Sequence, residues 1–190
     1  MRDLTLVAIG TLPDGVLEEL AGALSRRLRL TCVPGETTID PASAHDPRRD
    51  QYDCRALFPA LEAVAAARGG RVLGVADVDL FSAVFTFVFG ESKLGGRTAM
   101  ISLHRLRQTE YGLADDDALF RHRAVQEAMH ETGHLLGLVH CHAPECVMRF
   151  SGSVEEVDLK GDRFCAACAA QVPAPPGRGT RTRDETTSGT

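Results

Sequence analysis

Tryptophan is absent from the 190 residues and tyrosine occurs twice, so the interior, with eight phenylalanines, has to be built mainly from aliphatic side chains. Long apolar runs are missing as well. The stretch 80–90 is uncharged but only 11 residues long and rich in strand formers, whereas a membrane-crossing helix needs about 20 apolar residues. A basic excess is also lacking: the net charge of -5 and pI near 5.8 supply no field that would gather nucleic acid. The opening MRDLTLVAIG has a short apolar run without a small-residue cleavage site, and it leads into the turn residues Pro13, Asp14 and Gly15. It reads as a first strand, and the expectation is a cytoplasmic, soluble protein with reduced thiols. No internal repeat is found at any period.

What is present is concentrated between residues 130 and 168. His130, Glu131, His134, Gly137 and His140 spell HExxHxxGxxH. On a helix, positions four apart share a face, so the imidazoles of His130 and His134 can converge on one ion. Gly137 can take positive φ at the helix end and reverse the chain, bringing His140 to the same ion from the following loop. Three neutral imidazoles leave zinc a fourth position for water, whose pKa falls to roughly 7 when bound. Glu131 then stands beside that water as general base, and the reaction class is amide hydrolysis. A bare HExxH can be an exposed polar strip on a long helix; the extension to Gly137 and His140 makes a metal site the better reading.

Cys141 and Cys146 follow at once, and Cys165 and Cys168 form a CxxC pair separated from Cys146 by 18 intervening residues. Four thiolates close a tetrahedral zinc without room for water, so this site would staple chain segments and perform no chemistry. The rival arrangement is two disulfides, which requires an oxidising compartment; reduced thiols and metal are favoured. Cys32 and Cys54 are assigned no role beyond burial, and His142 is read as a loop histidine.

Periodicity predicts strand, helix, strand, helix, three strands and a helix. Residues 4–9 read as a strand covered on both faces. A helix starts at Pro13 or Asp14, with Val16, Leu17, Leu20, Ala23, Leu24 and Leu28 inside and Arg26, Arg27 and Arg29 near its end. Residues 28–33 read as a strand, 34–50 as a long surface loop, and 51–68 as a helix capped by Asp50, packed through Leu57, Leu61, Val64 and Ala65 and ended by Gly69 and Gly70. Residues 71–76, 85–89 and 98–103 are strands, the last two joined by GESKLGGR in a hairpin-like link. Asp115, Asp116 and Asp117 cap a helix running to Leu136, with Ala118, Val125, Met129 and Leu136 as its inner stripe. Asp77 and Asp79 are read as strand-ending residues bonded to nearby backbone. Residues 171–190, rich in Pro, Gly, Thr and charge, read as a disordered tail.

HExxHxxGxxH followed by Cys141, then Cys146 and Met148 as CxM, then the Cys165/Cys168 pair resembles the archaemetzincins, a family of metzincin-type zinc peptidases. The resemblance implies an α/β fold of metzincin-like mixed twisted sheet with an active-site helix. It implies one metallopeptidase domain over residues 1–170, divided into an upper part (1–137) and a small C-terminal part (138–170) stapled by structural zinc. Two zinc ions follow: a catalytic one on His130, His134 and His140 with Glu131 as base, and a structural one on the four cysteines. Met148 would form an apolar floor beneath the catalytic ion, and strand 85–89 would be the cleft edge that pairs with an extended peptide. The expected partner is a peptide, or a small polypeptide that loses its N-terminal residues as to an aminopeptidase, and the chain is expected to be monomeric. Two departures stand out. The Met148 to Cys165 spacing is slightly shorter than usual, and Arg149 and Phe150 follow the methionine where some other metzincins have a tyrosine that stabilises the transition state. The other reading is a zinc-stabilised module that grips a peptide without cutting it.

Overall fold

The computed structural model describes residues 3–28 and 30–172. Arg29 and most of the expected tail, residues 173–190, lie outside them. Strand β1 (Asp3–Ile9) leads through the turn at Pro13 into helix α1 (Val16–Leu28), then β2 (Thr31–Ile39). A short hairpin of β3 (His45–Asp46) and β4 (Gln51–Asp53) precedes α2 (Cys54–Arg68) and β5 (Arg71–Ala76). After β6 (Leu80–Phe81), β7 (Gly90–Ser92) and β8 (Thr98–Ser102) comes the long helix α3 (Asp117–Leu135), followed by α4 (Val154–Leu159) and α5 (Ala166–Gln171).

The main sheet has the order β2-β1-β5-β8-β7, parallel throughout except for β7, which runs antiparallel to β8 at one edge. Side chains of its central strands alternate between two buried faces. Leu4, Leu6, Leu73, Val75, Ala99 and Ile101 face α1 and α3, whereas Val7, Ile9, Val72, Ala76 and Met100 face α2. Both faces are therefore covered, and this is why β1 and β5 read as nearly continuous apolar runs.

Several sequence expectations are corrected. Helix α1 begins two residues later than Asp14. The loop expected at 34–50 is in part strand: β2 continues through Pro34 to Ile39, and between Leu6 and Ala8 of β1 it carries two extra residues. An edge position tolerates this, because Pro34 has no N–H to donate and β2 pairs on one side only. Asp53, not Asp50, caps α2, accepting from Arg55 N at 2.9 Å, and Gln51 and Tyr52 are strand residues. Residues 85–89 are not a strand; the sheet edge is Gly90–Ser92, so the first three residues of the supposed link are the strand itself. In α3, Asp116 is the cap and Ala118 is exposed, so the buried stripe starts at Phe120 and then widens to nearly the whole helix surface over 123–133. Asp77 and Asp79 are structural but not locally bonded: they pair with Arg107 and Arg105, the latter through two bonds of 2.7 Å.

Beyond α3 the chain folds back beneath it. Leu138, Cys146, Val147, Met148, Val154, Val157 and Cys168 continue the core on the α1/α3 side. Arg27 of α1 pairs with Asp162, and Arg123 of α3 pairs with Asp158 at 2.6 Å.

Candidate metal centre and active site

The last two turns of α3 carry His130 and His134 on one face. Their Nδ1 atoms lie 2.8 Å from the carbonyl oxygens of Val147 and Leu138 respectively. A carbonyl only accepts, so each Nδ1 carries the proton and each Nε2 presents a lone pair. The two Nε2 atoms stand 3.1 Å apart. Nitrogens held 2.0–2.1 Å from one ion at a tetrahedral angle would be roughly 3.3 Å apart. Gly137 takes φ +93°, as its expected role in reversing the chain requires, and the loop returns His140 so that its ring centroid is 5.0 Å from that of His134. The donor atoms of the three histidines all lie within 4.8 Å of one another. Burial pushes all three imidazoles below their ordinary pKa, His130 most strongly, so they are neutral donors suited to a metal ion.

Glu131 is 5% exposed and turned toward the edge strand. Ser92 of β7 donates to its Oε2, and burial raises the carboxyl to about 8, against the lowering effect of the Ser92 bond. Gly90 gives it room: a Cβ there would fall 2.5 Å from Glu131 Cγ and Oε1. The hairpin is pinned to the helix end by Gly95 N donating to His134 O at 2.8 Å. Met148 is fully buried and packs against the backbone of Gly133, where a Cβ would overlap its sulfur. Phe150 stacks edge-on to His140 with centroids 5.3 Å apart.

Cys141, Cys146, Cys165 and Cys168 form the second cluster, with all Sγ atoms within 4.8 Å of one another. Cys141 and Cys165 Sγ stand 3.9 Å apart, far beyond a disulfide and near the roughly 3.8 Å expected of two thiolates on one zinc. Backbone N–H groups of Ala143 and Cys165 approach Cys141 and Cys146 Sγ at 3.5 and 3.4 Å, which suits negatively charged sulfur. The backbone N–H of Cys168 brings Cys165 down to about 7, while burial raises Cys146 and Cys168. Both groups thus fit the metals expected of them. His142 is exposed and outside the cluster, and Cys32 and Cys54 are buried apart from it, with burial pushing Cys54 up to about 12.

A cleft of about 610 Å³ runs between the histidines and the edge of the sheet. Residues 85–92 form one wall and Val139, His140 and residues 150–152 the other. The sequence reading missed Ser92, Gly90, Glu127 and Lys160. Only Glu127 carried a signal, since it stands four residues before Glu131 on the same helix face.

Fold and site together define a zinc-dependent peptidase, with two of the three clustered histidines on the long helix α3. The comparisons agree and narrow the class. The family model for peptidase family M54 matches residues 37–173. The archaemetzincin of Pyrococcus furiosus is 38% identical over 186 residues, covering 94% of this chain and 97% of that protein. Among solved structures, a zinc-dependent peptidase from Methanocorpusculum labreanum is similar with a TM-score of 0.81 at 28% identity. The archaemetzincin of Archaeoglobus fulgidus complexed with malonate gives 0.78 at 32%. Both cover 90% of this chain and 100% of their own. The chain belongs to peptidase family M54, the archaemetzincins.

Proposed function

We propose that this chain hydrolyses peptide bonds in the cleft, with His130, His134 and His140 holding zinc and Glu131 as the general base. The supporting observation is the convergence of three neutral imidazoles beside a buried carboxyl held by Ser92. Zinc at this position supplies a Lewis acid that polarises a carbonyl and acidifies water. Glu131 accepts the proton and returns it to the leaving amine; burial, with Glu127 and Glu91 nearby, raises its pKa and favours the protonated half of that cycle, while the Ser92 bond and the Lys160 charge favour the ionised half. Ser92 orients the carboxylate, and Gly90 admits it.

The free edge of β7 supplies backbone groups for an extended peptide, which would lie antiparallel or parallel along residues 90–92 above the histidines. Phe150, packed on His140, can shield the site but cannot donate a hydrogen bond to an oxyanion, a stabilisation that zinc held by the three histidines would supply. The four cysteines hold a second zinc that ties the chain below His140 to α5, which suits reduced thiols in the cytoplasm.

The test is incubation of zinc-loaded protein with a peptide library whose members differ in a free or acetylated N-terminus. Cleavage that stops on chelation and returns with zinc supports the reading; preference for free N-termini identifies an aminopeptidase. Specific capture without any product would instead support the binding module.

A further inference from the structure

The cleft carries a second set of polar side chains that hydrolysis by Glu131 does not use. Glu127 lies one turn before Glu131 on α3, and Lys160 follows α4. Their Oε1 and Nζ atoms approach to 2.8 Å, with side chains 4% and 1% exposed. The contact is a close one between charges, but it lacks the alignment of a hydrogen bond, and among the described residues neither atom has another partner. Ser151 Oγ is likewise buried without a partner. All three residues line the same cleft as His130, Glu131 and His134.

A tether does not explain this pair. A buried ion pair costs about as much desolvation as its attraction returns. Helix α3 is already joined to the same segment by Gln126 Nε2, which donates to Val157 O at 3.1 Å and Lys160 O at 2.7 Å, and by Arg123 with Asp158. An ammonium has three N–H donors, and leaving them unused in a buried place is expensive. Facing a cleft, such a cation suits a ligand that accepts hydrogen bonds and carries negative charge.

We propose that Lys160, with Ser151, forms a subsite that receives a substrate carboxylate beside the bond to be cleaved. The carboxylate is an Asp or Glu side chain or a free C-terminus. This inference rests on the peptidase reading of the cleft. Glu127 fixes the ammonium in place and, as a second negative charge, limits the subsite to a single anionic guest. An apolar guest leaves the donors unpaired, and a cationic one meets Lys160 directly.

The test uses zinc-loaded protein and one peptide frame. In the first arm the varied residue is Glu, Gln, Leu or Lys with an amidated C-terminus; in the second a neutral peptide carries a free or amidated C-terminus. The proposal expects kcat/KM at least tenfold higher for the carboxylate member of one arm, and the responding arm identifies the source. In Lys160→Met/Glu127→Met, which leaves no unpaired buried charge, the ratio between Glu and Gln peptides, or between free and amidated ones, should fall to near one. Circular dichroism confirms that this variant is folded. Calorimetry on zinc-loaded Glu131→Gln provides a readout independent of cleavage and should give the same order of affinities.

Preferential binding of the carboxylate peptides with no cleavage by the wild type would overturn the peptidase reading and leave the subsite standing. Cleavage without carboxylate preference, or a preference that survives the double substitution, would overturn the subsite and leave the peptidase. Absence of both binding and cleavage would remove both.

Discussion

Ser92 and Glu131 meet twice: the serine Oγ is bonded to the carboxylate Oε2 and also lies 3.0 Å from the Glu131 backbone carbonyl. An edge strand and the helix that carries His130 and His134 are thereby joined, across 39 residues of sequence, at the carboxylate proposed as the base. Ser92→Ala removes a hydrogen bond to a charged group, worth about 1.5–3 kcal/mol. A fall of roughly 10- to 100-fold in kcat/KM is expected, with zinc content unchanged, as read by elemental analysis of the same sample.

Gly90 tests the same junction sterically. Its added Cβ would lie 2.5 Å from Glu131, so Gly90→Ala must displace either the carboxylate or the strand. Activity should be lost more completely than in Ser92→Ala. The unfolding free energy should fall by about 1–3 kcal/mol, measured by denaturant titration.

The two metal sites should separate. His134→Ala is expected to lower zinc from two ions per chain to one and abolish hydrolysis with little loss of fold. Cys168→Ser should remove the other ion and lower the thermal midpoint markedly, because it releases α5 and the loop below His140. Elemental analysis and calorimetry on both variants check this.

Asp162 gives a pH prediction. Burial alone would raise its carboxyl, but hydrogen bonds and charge from Arg27 outweigh that and hold it below the ordinary value. A lowered folded-state pKa means that the pair's stabilisation is complete above the ordinary carboxylate pKa and is lost as pH falls through the lowered one. Asp162→Asn should therefore destabilise the protein near neutrality and lessen the loss of stability below about pH 4, where the carboxylate would be taking up its proton. Unfolding curves across that range test it.

Where a residue's role depends on near neighbours in the chain, the sequence was legible. The convergence of His130 and His134 follows from helix geometry, and that of His140 from the chain reversal at Gly137 just beyond the helix end. Strands β1 and β5 were readable because burial on both faces makes each a nearly continuous apolar run. What stayed hidden depends on segments remote in sequence. Nothing near Ser92 or Gly90 marks them as partners of Glu131, and the pairing of Lys160 with Glu127 spans two elements. Residues 85–89 looked like a strand because they alternate phenylalanine with smaller residues. In the structure Phe87 packs under Arg105 and edge-on to Phe89, so the segment satisfies its apolar side chains without a ladder. Pro34 and Gly35 read as a loop because an edge position, which tolerates both, is a property of the assembled sheet.

The central claim is that Glu131 acts as base beside zinc held by three imidazoles, and it is tested most directly by Glu131→Ala with metal content and peptide hydrolysis measured on the same preparation. The account predicts full zinc occupancy with hydrolysis reduced by at least about 10²-fold. Wild-type rates from that zinc-loaded variant would contradict it.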